Sequence, residues 1–182
     1  GPTPKAIEEM GSKILARQKM AEVGIPVVPG WTESIASPQE AVAIAARIGY
    51  PVMLKAAAGG GGRGLRICRN DEELIRYFPI ARSESMTAFG DSTVYLEKYL
   101  VAPRHIEFQI LADHHGHVIH LGERDCSIQR RHQKLVEIAP SLFLDESLRQ
   151  KMGEISVRAA RAVGYTNAGT IEFLVDHERN FY

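Results

Sequence analysis

Cysteine is nearly absent from this chain: two residues in 182, Cys68 and Cys126, far apart. That excludes a disulfide framework and makes a reducing compartment the simpler reading. Net charge is absent as well. Twenty-two lysines and arginines balance 22 aspartates and glutamates, so no overall field favours nucleic acid or a membrane surface. No apolar run approaches the length of a membrane span and no signal peptide is visible, although the opening Gly1-Pro2 leaves a removed targeting segment open. What remains is a chain long enough for one large domain or two small ones around a real core.

Glycine, by contrast, is concentrated. Lys55-Ala56-Ala57-Ala58-Gly59-Gly60-Gly61-Gly62-Arg63-Gly64 holds five glycines in six positions, between the apolar runs Pro51–Leu54 and Leu65–Cys68. Both runs have strand length, which reads as strand, glycine loop, strand. Backbone N–H groups with so little side-chain cover can approach an anion, and Lys55 and Arg63 add positive charge at the same place. The spacing Gly59, Gly61, Gly64 formally satisfies G-x-G-x-x-G, but the last glycine opens a strand rather than the helix a dinucleotide fingerprint needs. A Walker loop is missing, since the stretch does not end in Gly-Lys-Ser/Thr. A hairpin flap over phosphates, as in the kinase type of glycine loop, fits better than a ligand-free surface turn.

Along the chain, residues 4–23 read as a helix interrupted at Gly11-Ser12, with Ser12 capping the second piece and Lys13 at its N-terminus. A lysine there opposes the helix dipole unless an anion is near; a solvated lysine is the equal alternative. Pro26–Pro29 reads as extended. Ser37-Pro38-Gln39-Glu40 is a capping box opening a helix with the stripe Ala41, Val42, Ala45, Ile48, closed by Gly49. Asn70 or Asp71 caps a helix carrying Leu74, Ile75 and Phe78, which Pro79 should kink or end. Thr93–Leu100 is the next strand. The span 28–100 then forms a small α+β lid.

Pro103 marks a boundary. From Arg104 to Leu111 the pattern alternates, with Ile106, Phe108 and Ile110 on one face and His105, Glu107 and Gln109 on the other. That second face is either a solvated surface or a row of working polar groups. Asp113–Gly116 is a hairpin turn into a strand over His117–Glu123. Histidines 114, 115, 117 and 120 invite a metal reading, but no carboxylate or cysteine completes a recognisable site. The stretch Glu123–Lys134 mixes cations, carboxylates, Gln129 and His132 with few apolar residues for a core strand, and reads as an anion site rather than a solvated charge run. Asp145 caps an amphipathic helix with Leu148, Met152, Ile155, Ala159 and Val163. Ala168–Val175 is a strand with Thr170, Glu172 and Leu174 on one face. Asp176–Asn180 is a hairpin loop, and Phe181-Tyr182 begins the returning strand. A chain ending two residues into a pairing strand is expected to be a fragment of a longer protein.

With these pieces located, the chain resembles the biotin carboxylase family of ATP-grasp enzymes from end to end. The resemblance is carried by Met10-Gly11-Ser12-Lys13, Lys55 to Gly64, Glu97-Lys98-Tyr99-Leu100, Pro103-Arg104-His105-Ile106-Glu107, Glu123 to Lys134 and Gly169-Thr170-Ile171-Glu172-Phe173. It implies an α+β ATP-grasp fragment: connecting helices over 1–27, a lid over 28–100, and over 101–182 the start of a larger, mainly antiparallel domain. It also implies ATP-dependent carboxylation of biotin on a carrier protein, with bicarbonate giving carboxyphosphate, Mg²⁺ or Mn²⁺ as cofactor, and a carboxyltransferase component and a homodimeric parent as partners. Neither nucleic acid nor membrane is expected as a partner, and the expected location is the cytoplasm, or the mitochondrial matrix in a eukaryote. By the same resemblance Lys13 and Lys55 hold ATP phosphates beneath Gly59, Gly60, Gly61, Gly62 and Gly64. Glu97, Lys98 and Leu100 lie at the adenine, partly through backbone groups. His105, Gln129 and His132 line the nucleotide pocket, Leu174 packs near the base, and Glu172 is a metal ligand. Lys134 is the catalytic residue, aimed at the reacting phosphate and bicarbonate. One lysine–phosphate pair in a partly shielded cleft contributes on the order of 4 kcal/mol.

Two departures stand out. Leu65 occupies a position where methionine is common, and Pro79 is unusual. A second metal glutamate is expected beyond Tyr182, so the isolated fragment is expected to be inactive. The alternatives are a carbamoyl-phosphate synthetase-like or urea-carboxylating ATP-grasp ligase, and a non-catalytic nucleotide-binding fragment.

Overall fold

A computed structural model describes residues 1–31, 33–57, 65–131 and 133–182, without the side chains of Lys13 and Ile14. The described residues form five helices and two four-stranded antiparallel sheets in two compact units, residues 28–100 and residues 1–27 with 101–182. The fold is α+β.

Two helices, α1 (Pro4–Gly11) and α2 (Lys13–Glu22), come first in the chain; in the unit over 28–100, β1 (Gly30–Trp31) is followed by α3 (Pro38–Ile48), β2 (Val52–Ala56), β3 (Leu65–Cys68), α4 (Asp71–Phe89) and β4 (Val94–Lys98). The sheet order is β1-β4-β2-β3. Pro26–Pro29 carries no regular strand. Ser37 caps α3 by accepting from the Glu40 N–H, while the Glu40 carboxylate takes the Ala36 N–H, one residue earlier than a strict capping box. Both helices cover one face of the sheet. Ala41, Ile44, Ala45, Leu74, Phe78 and Ala81 meet Val52, Leu54, Val94 and Leu96 in a single core.

Pro79 does not end α4, which runs on to Phe89 and closes at Gly90 in the left-handed region. Proline removes the hydrogen bond that would reach the carbonyl of Ile75. Both residues are exposed, so water can satisfy that carbonyl while Phe78 and Ala81 keep the buried face anchored.

Gly30 stands opposite Glu97, and a Cβ there would lie 2.6 Å from the carbonyl oxygen of Leu96 and 3.0 Å from Cα of Glu97. Backbone atoms cannot swing aside. Gly30→Ala is therefore expected to destabilise this unit by about 1–3 kcal/mol, read as a lower denaturation midpoint; an unchanged midpoint would contradict the close approach.

The second unit contains α1 (Pro4–Gly11), α2 (Lys13–Glu22), β5 (Arg104–Ala112), β6 (Val118–Arg130), β7 (Gln133–Ile138), α5 (Glu146–Ala162) and β8 (Asn167–Val175), with sheet order β7-β6-β5-β8. Ser12 caps α2 through its side chain, as its position after Gly11 predicts. The face of β5 and β8 carrying Ile106, Phe108, Phe173 and Val175 packs on Met152, Ile155 and Ala159 of α5, joined by Met20 of α2 and by Val23 at its C-cap. Phe173 makes edge contacts with Phe108 and Phe181, with ring centroids 5.9 and 5.7 Å away. Phe181 bridges Val175, and Leu174 exchanges backbone hydrogen bonds with Tyr182, so the returning strand does begin there.

The stretch after Glu123, too poor in apolar residues to read as a core strand, is strand nonetheless. β6 continues to Arg130 and hairpins into β7. Gly122, with φ of 88°, sits at a register shift between the Phe108 and Ile110 pairings, where only glycine is comfortable. Beyond it the strand buries charge on one face. Glu123 accepts from Arg149 and from the Ser141 N–H, while Asp125 accepts from Ser127 and Ser141.

Candidate active site

Strand alternation gives the β7-β6-β5-β8 sheet an open face whose polar groups come from all four strands. β5 contributes His105, Glu107 and Gln109, and β8 contributes Thr170, Glu172 and Leu174, because their alternate residues are committed to the core. The register sets Glu107 directly between Arg124 of β6 and Glu172 of β8, and His105 beside Leu174. Two carboxylates facing each other across a strand pair repel. Lys134, from β7, resolves this by donating to Oε2 of Glu107 and, at 2.5 Å, to Oε1 of Glu172.

Burial differs sharply between the two carboxylates. The Glu107 side chain is 6% exposed and that of Glu172 61%. Burial works to raise the Glu107 carboxyl, but the hydrogen bonds from Lys134 and Arg124 prevail and hold it below the usual carboxylate range. Burial likewise works to lower Lys134, and the bonds to Glu107 and Glu172 outweigh it, keeping the ammonium protonated above its ordinary value. His105, Glu107, Cys126, Lys134, Glu172 and Phe173 line a narrow pocket at this place.

The ligand atoms of Glu107, Cys126 and Glu137 lie within 4.8 Å of one another. This is a poor metal cradle. Both Glu107 oxygens are taken by cations, and burial pushes the Cys126 thiol up to about 11, so it stays protonated at neutral pH. Glu172, open to solvent with Lys134 on one oxygen, has a carboxylate that could reach a hard cation more readily. His117, of the histidine-rich turn, is engaged with the Asp113 carboxylate at 2.7 Å.

The remaining expected residues divide by unit. Gln129 pairs in register with Lys134, and its amide donates to the Cys126 carbonyl at 3.0 Å. The His105 backbone N–H donates to Ser127 at 3.0 Å. In the unit over 28–100, Lys55 and Glu97 share the sheet face away from the helices and form an ion pair. Lys98 points the other way. Its ammonium donates to the carbonyls of Gly49 at 2.9 Å and Tyr50 at 2.8 Å, tying down the end of α3, so a ligand on the Lys55 face can meet only its backbone. Leu100 is half-buried just beyond β4. Gly59, Gly60, Gly61, Gly62, Gly64 and His132 lie outside the described residues, and Lys13 is described only in its backbone, at the start of α2.

Two residues that the sequence did not single out as site residues are central here, Glu107 and Arg124. The alternation of β5 was the available signal for Glu107. Nothing in the sequence marked Arg124 off from the cations around it.

A family model described as the carbamoyl-phosphate synthase L chain, ATP binding domain, matches residues 12–182. The chain is similar over its whole length to a biotin carboxylase of Halalkalibacterium halodurans, with 58% identity, and spans 40% of that relative. Among solved structures, a biotin carboxylase–beta-gamma-ATP complex from Campylobacter jejuni matches all of the chain at 52% identity with a TM-score of 0.93, the chain covering 41% of it. The biotin carboxylase domain dimer of the Hydrogenobacter thermophilus 2-oxoglutarate carboxylase, in complex with MgADP, ADP and bicarbonate, matches all of it at 55% identity and TM-score 0.92, again over 40% of the relative. The chain thus spans about two fifths of the length of these relatives.

Proposed function

Because this chain belongs to the family of the carbamoyl-phosphate synthase L chain ATP-binding domain, we propose that the full-length protein carrying it is a biotin carboxylase of the ATP-grasp type. It uses ATP and bicarbonate to carboxylate biotin held on a carrier domain. The observation that carries this reading is the open-face cluster, in which Lys134 stands between buried Glu107 and exposed Glu172.

Phosphoryl transfer requires positioned charge more than covalent help from the protein. Bicarbonate attacks the γ-phosphorus and ADP leaves; the carboxyl group of the carboxyphosphate then passes to a ureido nitrogen of biotin, with inorganic phosphate released and the ureido proton carried off by it. Lys134 offers its ammonium to the oxygens on which charge builds, and the buried Glu107 keeps that ammonium in one place. Glu172 is the Mg²⁺ ligand, its exposed carboxylate suiting a cation that takes one or two carboxylates alongside phosphate oxygens and water. When bound, Mg²⁺ neutralises phosphate charge. His105 and Gln129 line the nucleotide side of the same sheet face, with Leu174 against the base. Lys55 and Lys13 hold phosphates, with Gly59–Gly62 and Gly64 over them, while Glu97 and the backbone of Lys98 and Leu100 meet the adenine. His132 completes the pocket.

In this reading residues 28–100 are the lid, residues 101–182 open the larger ATP-grasp domain, and residues 1–27 are its connecting helices. A biotin carrier and a carboxyltransferase are the working partners. In this reading the full-length protein is also a homodimer acting in the cytoplasm. None of the described helices is long and apolar enough to cross a membrane.

The family model's own description favours a second reading, with an acceptor other than biotin, such as the amine of a carbamoyl-phosphate synthetase or urea. Release of ADP by the full-length protein in bicarbonate, with and without free biotin, separates the two. Stimulation by biotin is expected. Stimulation by ammonia or urea with no response to biotin would replace the first reading with the second.

A further inference from the structure

Arg124 makes the fullest set of contacts in the open-face cluster. Its Nε and Nη2 reach Oε1 of Glu107 at 2.6 and 2.5 Å, and Nη1 donates to Oε1 of Gln109 at 3.1 Å. Glu137 approaches its Nε at 3.6 Å. Glu107 is therefore divided between two cations, Arg124 on Oε1 and Lys134 on Oε2. A carboxylate this buried needs both oxygens satisfied, and its orientation follows from which donor holds which oxygen.

We infer that Arg124 is a positioning residue: by fixing Oε1 of Glu107 it turns Oε2 toward Lys134, and so sets where that ammonium stands on the sheet. The planar fork matters. Glu107 and Gln109 are alternate residues on one face of β5, and a guanidinium spans both at once, whereas a lysine in its place could serve one. Without Arg124, Oε1 of Glu107 is left buried and unpaired, and the carboxylate turns to share both oxygens with Lys134. The ammonium is then drawn off its place between Glu107 and Glu172. Among the described residues the partners of Arg124 are Glu107, Gln109 and Glu137, and of these only Glu107 bonds Lys134, so its influence on that ammonium runs through Glu107.

The consequence for turnover rests on the carboxylation reading; the consequence for geometry does not. The test is made in the full-length protein with Arg124→Met, Arg124→Lys, Glu107→Gln and the double variant Glu107→Gln with Arg124→Met. In Arg124→Met the bicarbonate-dependent kcat is expected to fall about 10²-fold, as for a misplacement near 1 Å, with KM for ATP within about twofold. Arg124→Lys keeps a cation beside the buried carboxylate and so keeps the fold; it is expected to recover part of kcat. Once Glu107 is glutamine, removing Arg124 should cost nothing further, a non-additivity that a merely structural role would not produce. Additive losses in the double variant, or wild-type kcat in Arg124→Lys, overturn the inference. If the unsubstituted protein shows no biotin-stimulated ATP cleavage, the functional reading fails and the geometric claim is read from crystal structures of Arg124→Lys and Arg124→Met. Displacement of the Glu107 carboxylate and of Lys134 Nζ with the strands unmoved supports it. Both side chains remaining in place refutes it.

Discussion

Lys134→Met in the full-length protein is expected to lower bicarbonate-dependent ATP cleavage by about 10²–10³-fold, the usual cost of losing one charged donor aimed at developing negative charge. The KM for ATP should change little, because Lys55 and Glu97, on the other unit's sheet, are untouched by the substitution. The reason for so large an effect is the company Lys134 keeps. Two carboxylates hold the ammonium protonated, and one of them, Glu107, is itself buried and pinned by Arg124. A cation held this way costs little reorganisation when charge builds beside it. Glu107 keeps Arg124 but loses the cation on Oε2 in the variant, so a thermal-unfolding control is needed to separate lost chemistry from lost fold. A variant that folds normally and turns over at the wild-type rate would remove Lys134 from the mechanism.

The same cluster illustrates how far residue pattern alone reaches. Where one face of an element is apolar and the other solvated, alternation gives the answer directly: β5 and β8 fall out with His105, Glu107, Glu172 and Leu174 on one side, and the caps at Ser12, Ser37 and Asn70 set helix starts. β6 beyond Gly122 defeats that logic. Glu123 and Asp125 face a buried polar cluster, while on the other face Arg124 bonds Glu107 and Cys126 lines the pocket, so neither side supplies the apolar rhythm by which a strand is read. The bulge at Gly122 also shifts the phase, and a lone glycine in a strand marks such a place without saying how the pairing resumes. Pro79 misleads for a related reason, since it falls on the exposed helix face while the buried Leu74, Phe78 and Ala81 anchor the other. Lys98 shows a third limit. It sits next to Glu97 in sequence, yet alternation sends its ammonium to the opposite face, where it bonds backbone carbonyls. A motif names residues, and only the strand's alternation tells which side each side chain faces.

Arg149→Ala is expected to cost about 3–5 kcal/mol of stability, the range for stranding one member of a buried ion pair. Glu123 has a side chain only 1% exposed, and its Oε1 takes both the Arg149 Nε at 2.9 Å and the Ser141 N–H at 3.1 Å. The same guanidinium donates to the carbonyls of Ser141 at 3.2 Å and Leu144 at 3.3 Å and bridges Glu146 at 2.9 Å. One side chain thus fastens the segment between β7 and α5 to the buried face of β6. Removing it leaves a carboxylate with one N–H and no counter-charge. It also frees two carbonyls that must then find water. Glu123→Gln should be milder, since the amide oxygen keeps the Ser141 N–H and no unpaired charge is buried. The comparison is made by urea denaturation of both variants. A midpoint for Arg149→Ala close to wild type, or a larger loss in Glu123→Gln, would show that the clamp contributes little, and that α5 is held by the apolar contacts of Met152, Ile155 and Ala159 alone.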